Sequence, residues 1–358
     1  MQLFVVLKLT KKCNLSCRYC YEGGNTNSEM TEVELLYAIS WIANYCKIAG
    51  FNQITILFHG GEPLLYDINS FSKALEYCKK TFESIGVNLR FRLQTNLIGL
   101  KPYHIALIKK YFESSVGTSL DFQSSTRCFK NGENATDMIL CNIQKLIEEK
   151  CSVNVICMVT PENISNPHDL YYFYKKWCSH LRLARVFPSK LNQNCFNYIV
   201  SNEEYTKFLC QLFDIWVMDR VKPISIDNFA ESIWNLVTGA PRMCEYKKTC
   251  QPYYLSISPG GDLYPCGRFN TSEYRFGSIY ADSPETIYDE IWKKHLTNIH
   301  LPTECHDCSY VNICNGGCMY EREYYGHTQS CTSIKILYEH IEKYLQNVGV
   351  KMSFKEVM

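Results

Sequence analysis

Cys13, Cys17 and Cys20 sit in the stretch Lys12-Cys13-Asn14-Leu15-Ser16-Cys17-Arg18-Tyr19-Cys20-Tyr21. A Cys-x3-Cys-x2-Cys spacing brings three thiolates round one iron–sulfur cube. The cube has four irons, so one is left open to a small molecule. A pure electron carrier normally closes that position with a fourth cysteine. A structural zinc site is the alternative, but zinc usually finds its fourth Cys or His at short range, and none follows here.

A second cysteine group lies near the far end. Cys244, Cys250 and Cys266 are followed by Cys305-x2-Cys308-x5-Cys314-x3-Cys318 and then Cys331. Eight cysteines suffice for two closed four-ligand sites, either iron–sulfur or zinc. Between the groups, Gly60-Gly61-Glu62-Pro63 follows His59. Two glycines at a strand end let backbone approach a ligand, and the adjacent carboxylate suits an ammonium group. A plain turn is the alternative reading of those four residues. His59 reads as a packing or hydrogen-bonding residue.

These motifs together resemble the radical S-adenosylmethionine (SAM) enzymes, with a C-terminal extension similar to the SPASM domain. The first motif carries the resemblance with Tyr19 just before its last cysteine. The extension carries it with Cys250-x10-Gly261-x4-Cys266 and the later cysteines. The resemblance implies three 4Fe–4S clusters. Cys13, Cys17 and Cys20 would hold the SAM-binding one. Cys244, Cys250, Cys266 and Cys318 would hold an inner auxiliary cluster, and Cys305, Cys308, Cys314 and Cys331 an outer one. It also implies SAM contacts from Tyr19, Gly60, Gly61, Glu62, Pro63, Asn96 and Ser119. Arg127 would pair with the SAM carboxylate, and a solvated surface arginine is its alternative. Phe122 stands where the family often has glycine.

The implied chemistry is cleavage of SAM to a 5′-deoxyadenosyl radical that abstracts a hydrogen from a precursor peptide or protein. Auxiliary clusters suit a net oxidation. One branch forms thioether, carbon–carbon or ether crosslinks in ribosomally made peptides. Another, the anaerobic sulfatase-maturating enzymes, makes formylglycine from Cys or Ser. That second branch has an aspartate base just after the cysteine equivalent to Cys266, where this chain has Gly267, so the crosslinking branch is expected; Asp262 and Glu245 are substitutes to consider. A non-catalytic iron–sulfur or zinc scaffold is the third reading. The electron donor would be of flavodoxin or ferredoxin type. The chain starts at a strand, so leader-peptide recognition would fall to a separate protein or to the barrel, or no leader would be used.

Elements that place the motifs alternate. Strand patterns occur near 2–9, 53–58, 88–95, 115–121, 152–158 and 181–187, and helical patterns near 32–48, 69–84, 103–113, 135–149, 168–179 and 202–220. Thr31 with Glu34, and Ser201 with Glu204, read as capping boxes. A short helix is expected over 228–237, a hairpin over 257–264 and an amphipathic tail helix over 333–347. Such alternation argues for parallel βα units with chemistry at the strand carboxyl ends. An open doubly wound sheet satisfies the same pattern. The resemblance selects an α/β fold: a partial (β/α)6 TIM-like barrel over 1–238, then a small Cys-rich SPASM domain over 239–358.

Composition sets the outer limits. The formal net charge of +1 gives no electrostatic case for nucleic acid or an anionic membrane. No apolar run approaches the ~18 residues of a membrane span. The 20 cysteines in 358 residues, without a signal-peptide pattern, read as a cytoplasmic metalloprotein and not as a secreted disulfide scaffold. Nine cysteines lie outside the motifs and read mostly as small hydrophobes, with Cys128 and Cys195 in loop-like stretches.

Overall fold

Strand β1 (Gln2–Thr10) alternates two faces, as the period of a strand requires. Leu3, Val5, Leu7 and Leu9 are wholly buried on one side, while Phe4, Val6, Lys8 and Thr10 face the other. Its strand neighbours are parallel: β2 (Gln53–Gly60) aligns Leu7 with Phe58 and Thr10 with Gly60, and β3 (Asn88–Leu93) adds beyond it. Helices α1 (Glu32–Ala49) and α2 (Ile68–Ser84) make the crossovers. The Thr31–Glu34 box closes reciprocally at 3.2 and 2.7 Å, and Gly50 ends α1 in the left-handed region.

The computed structural model describes residues 1–23, 26–247, 250, 252–297, 301–325 and 331–353. They fall into two compact units. The first comprises Met1–Ile156, Phe187–Asn197 and Gln251–Leu296. After β3 it continues through α3 (Pro102–Tyr111), β4 (Ser115–Ser119), α4 (Thr136–Glu148) and the start of β5 (Ser152–Val159). β4 and β5 pair in parallel, and a parallel bridge from Gln94 to Gly117 carries the chain end of β3 onto β4.

The second unit comprises Cys157–Val186, Tyr198–Cys250 and Thr297–Met358. It holds α5 (Pro167–Trp177), β6 (His180–Arg185), α6 (Asn202–Met218), the two-residue β7 (Ser225–Ile226) and α7 (Asp227–Thr238). The six strands and seven helices expected through residue 238 are therefore present, and β7 is added to them.

Three additional strands join the first unit. β8 (Tyr254–Ile257) pairs in parallel with β1, and β9 (Asp262–Tyr264) returns antiparallel through Gly260-Gly261, as the hairpin pattern predicts. β10 (Gly277–Ser278) pairs with β9, giving the order β10-β9-β8-β1-β2-β3. The parallel pairing to β1 was not legible, because a short apolar strand carries no address for its partner. α8 (Pro284–Thr297) was also not expected. In the second unit α9 (Val311–Cys314) and α10 (Met319–Tyr325) are short. The tail helix α11 (Cys331–Asn347) packs on α6 and α7, with Asn235 donating to the Tyr338 hydroxyl at 3.0 Å and His340 bonded to Asp214 at 2.7 Å.

Candidate metal centres

The three first cysteines lie on the loop that leaves β1. Neighbouring segments clamp that loop. Arg18 N–H donates to Thr126 O at 2.9 Å, Ser16 N–H donates to Cys128 O at 2.8 Å, and the Cys128 thiol returns to Ser16 O at 3.0 Å. Asn192 Nδ2 donates to Arg18 O and Cys20 O at 3.0 and 3.2 Å, and Ser189 Oγ donates to Tyr21 O at 2.9 Å. Cys128 and Cys195 are thus both explained: each is a buried thiol inside a clamp segment, with Cys195 accepting from Ser189 N–H at 3.3 Å.

The thiols group electrostatically. Burial pushes Cys13 and Cys17 up to about 11 and raises Cys20, with the charges of their cysteine neighbours adding to the rise. Free thiolates are therefore disfavoured, and a cation among them would reverse that. Donors already point at the sulfurs: Leu15 N–H at 3.5 Å and Asn96 Nδ2 at 3.6 Å from Cys13, and Arg127 Nη1 at 3.9 Å from Cys17. Such donors are what buried metal thiolates take. The donor set fits an iron–sulfur cluster with three protein ligands. Among the described residues no three Cys, His, Asp or Glu side chains converge on one ion.

Arg127 is buried, so the surface-arginine alternative is overturned. The loop after β4 runs antiparallel to the cysteine loop, through a bridge from Leu15 to Phe129, and this carries Arg127 inward. Its Nε lies 3.3 Å from Asp121 Oδ2, and its guanidinium sits 5.7 Å from the Tyr19 ring centroid. The Tyr19 hydroxyl donates to Asp121 as well, and Thr126 Oγ1 does so at 3.2 Å. Burial, first, and then the Asp121 charge drive the Tyr19 hydroxyl well above its ordinary value. Asp121 is the residue that organises this corner, and its role was not anticipated from the sequence.

The Gly60-Gly61-Glu62-Pro63 segment is pressed on the backbone that leads to the cysteines. Gly61 N–H donates to Thr10 O at 2.7 Å and Glu62 N–H to Lys12 O at 2.8 Å. A Cβ at Gly60 (φ +135°) would lie 2.2 Å from Thr10 O, and one at Gly61 would lie 2.1 Å from Lys12 O. Glycine is required at both. Glu62 is fully buried and points at protein donors: Thr95 Oγ1 and Asn96 N–H at 2.6 Å, and Leu64 N–H at 2.9 Å. Desolvation outweighs those bonds and lifts its carboxyl to about 7. Pro63 opens the short 3₁₀ turn Pro63–Leu65 that Glu62 caps. Asn96 also donates to Asn14 Oδ1 at 2.7 Å, and Ser119 Oγ accepts from Gln94 Nε2 at 3.2 Å. His59 Nδ1 accepts from Gly60 N–H at 2.7 Å, and burial lowers the imidazole to about 4, so it is a neutral hydrogen-bonding group.

The later cysteines divide between the units. Cys266 belongs to the first unit, beside Tyr21, whose hydroxyl is raised by burial and then by Glu22, Cys20 and Cys266. In the second unit, Cys250 Sγ donates to Cys244 O at 3.6 Å. Cys305, Cys308, Cys314 and Cys331 come together: burial lifts Cys314 to about 12, and the other three thiols add to the rise. The 3₁₀ turn Thr303–Cys305, α9 and the first residue of α11 supply three of them. The Tyr310 ring lies 5.3 Å from that of Tyr338, tilted by 44°, and its hydroxyl donates to Glu342 at 2.8 Å, tying the start of α9 to α11.

Comparison with known proteins divides the chain by sequence, and each family match spans parts of both units. The radical SAM superfamily profile matches residues 7–173, and the SPASM iron–sulfur cluster-binding domain matches 244–319. The serine-type anaerobic sulfatase-maturating enzyme of Bacteroides thetaiotaomicron is 26% identical over 99% of this chain and 92% of its own length. The solved structure of native anSMEcpe with bound AdoMet and Cp18Cys peptide superposes with a TM-score of 0.81, at 23% identity, over 97% of this chain and 99% of that one. Streptococcus suis SuiB bound to precursor peptide SuiA follows at 0.67, 15% identity, 92% and 74%. The fold is therefore a mixed α/β radical SAM core with a C-terminal SPASM domain. Among relatives matched over most of the chain are sulfatase-maturating enzymes, which favours that branch over the crosslinking branch expected from Gly267.

Proposed function

We propose that this chain, which carries a radical SAM domain and a SPASM domain, oxidises a Cys or Ser side chain of a polypeptide to formylglycine. The observation that carries the reading is the full-length likeness to a sulfatase-maturating enzyme, 26% identical over 99% of the chain. The chain is an enzyme of peptide or protein modification, and its two domains imply iron–sulfur clusters and SAM. We assign three 4Fe–4S clusters, with a domain boundary at residues 238–239. When bound, the first cluster and SAM supply a 5′-deoxyadenosyl radical that takes one hydrogen atom from the substrate.

The chain's own residues do the rest. Cys13, Cys17 and Cys20 hold the first cluster. Gly60, Gly61, Glu62 and Pro63 would hold the SAM ammonium. Arg127, oriented by Asp121 and Tyr19, would pair with the SAM carboxylate, with Asn96 and Ser119 as further contacts. Cys244, Cys250, Cys266 and Cys318, then Cys305, Cys308, Cys314 and Cys331, hold the auxiliary clusters. Serine becomes the aldehyde by losing two hydrogens. Cysteine loses two to give a thioaldehyde, which water converts with release of hydrogen sulfide. The oxidation also requires a base for one proton and an acceptor for one electron, and clusters held by the later cysteines would supply that acceptor. A flavodoxin or ferredoxin supplies reducing electrons. A leader-binding protein is a partner only under the second reading.

That second reading is oxidative crosslinking of a ribosomal peptide. Gly267 favours it, since no carboxylate follows Cys266. One experiment separates the readings. The reduced, reconstituted protein is incubated anaerobically with SAM and either a sulfatase-derived Cys or Ser peptide or a pool of short peptides. A hydrazine-trapped aldehyde on the sulfatase peptide supports the first reading. Loss of two hydrogens without aldehyde, and with fragmentation blocked between two residues, replaces it by the second. Absence of 5′-deoxyadenosine sinks both.

A further inference from the structure

The first unit buries an ion pair that the reading above leaves unused. Lys8, on β1, is 1% exposed. Its Nζ donates to Glu22 Oε1 at 2.5 Å and to Gly267 O at 3.3 Å, and lies 5.7 Å from the Tyr21 ring centroid. The charges of Glu22 and Lys8 both act on His59. Lys8 thus joins the second residue after Cys20 to the residue after Cys266, and the charges of the pair reach the residue before Gly60-Gly61. Stability does not account for it. A buried ion pair is often matched or exceeded by well-packed apolar residues, because desolvating two charges is costly.

Position 267 is half-buried beside this pair. A Cβ built on Gly267 meets Val6 Cγ1 at 3.6 Å and the Tyr21 hydroxyl at 4.0 Å, ordinary contacts, so packing does not demand glycine there. Phe187 lies 5.4 Å from the Tyr21 ring, and the Arg268 guanidinium 4.9 Å from Phe187, so aromatic and polar groups flank the position.

We propose that Glu22, held in place by Lys8, is the substrate-contacting residue of this site: its carboxylate accepts a hydrogen bond from a thiol, hydroxyl or amide N–H of a peptide residue that packs against Gly267. The inference rests on the peptide-oxidising reading and specifies what grips the peptide. It places the contact on the cysteine loop and not on the residue after Cys266.

The test measures coupling, defined as modified peptide formed per 5′-deoxyadenosine released. The peptide is whichever member of the sulfatase set or the pool the unmutated protein turns over. Glu22→Gln keeps the shape and removes the charge; coupling should fall about 30-fold or more, as expected for truncating one partner of a buried charge pair at a binding surface. The double variant Lys8→Met/Glu22→Gln removes both charges, and its coupling should stay low. Unchanged coupling in Glu22→Gln overturns the inference. Recovery of coupling in the double variant also overturns it, since the pair would then serve only the fold. If the unmutated protein releases no 5′-deoxyadenosine, the proposed function fails and takes this inference with it.

Discussion

The thiolate trio of the first unit and the thiolate quartet of the second are built differently. Cys13, Cys17 and Cys20 sit on a loop whose backbone is stitched to three other segments, and amide and guanidinium donors reach Cys13 and Cys17. Cys305 and Cys314 sit on short helical turns and Cys331 opens α11, with Tyr310 and Tyr338 nearby, and burial with repulsion between thiols raises these three. Three ligands with buried polar groups at hand suit a centre that must bind a further molecule. Four ligands in an aromatic setting suit a closed centre that passes electrons. The difference teaches that cysteine number sets whether a cluster is open, while the polar residues between the strands set what it is open to.

The largest expected effect breaks the comparison directly. Cys17→Ala should abolish 5′-deoxyadenosine formation while iron falls by about four per chain, one cube's worth. Cys331→Ala should keep a substantial part of SAM cleavage and lose peptide product. Iron analysis and product chromatography on the two variants check this. Equal loss of SAM cleavage in both would mean that the two sites do not divide labour.

Next comes the corner that holds Arg127. Arg127→Gln leaves Asp121, 1% exposed, without its cationic partner. Breaking one side of a buried pair costs about 3–5 kcal/mol. The variant should show that loss in denaturant unfolding of the reconstituted protein, and a changed midpoint potential of the first cluster, because a cation 3.9 Å from Cys17 Sγ has been removed. A variant as stable as the parent would show that Asp121 is satisfied by Tyr19 and Thr126 alone.

Much of this was legible. Apart from the two-residue β7, the strands and helices through residue 238 follow from period and caps, because each buries one regular apolar face. The assignment of Cys305, Cys308, Cys314 and Cys331 to one cluster comes from resemblance, since spacing alone cannot pair eight thiols. What was hidden is what depends on backbone meeting backbone. Arg127 stands over a hundred positions from the cysteine loop, and no pattern along the chain tells that residues 126–129 lie against 15–18. The partner of β8 and the Lys8–Glu22 pair were hidden for the same reason. α8 was missed although its start is ordinary: Ser283 Oγ accepts from Thr286 N–H at 3.3 Å, with Pro284 as the first helical residue. Gly267 alone points to the crosslinking branch, whereas the full-length likeness favours the sulfatase-maturating one.

Glu62 gives a pH test of the polar stitching. Burial raises its carboxyl from 4.5 to about 7, so the fold disfavours its ionised form. Stability from this position is full below 4.5 and is lost as pH rises through about 7. A shift of that size corresponds to about 3 kcal/mol. Between pH 5 and pH 8 the parent should lose more stability than Glu62→Gln by up to that amount. Parallel pH profiles would mean that Glu62 is solvated in solution.

The smallest effect sharpens the comparison most finely, because a hydroxyl–glutamate capping box opens a helix in each unit. Thr31 and Glu34 cap α1 in the first unit, and Ser201 and Glu204 cap α6 in the second, with matching side-chain bonds of 3.2 Å to the Glu34 and Glu204 N–H groups. Replacing such a cap by alanine costs about 1 kcal/mol. Thr31→Ala should speed amide exchange in α1 and leave α6 unchanged, and Ser201→Ala should do the reverse. If each substitution speeds exchange throughout the chain, the two units open together, and the trio and the quartet share one cooperative scaffold despite their different construction.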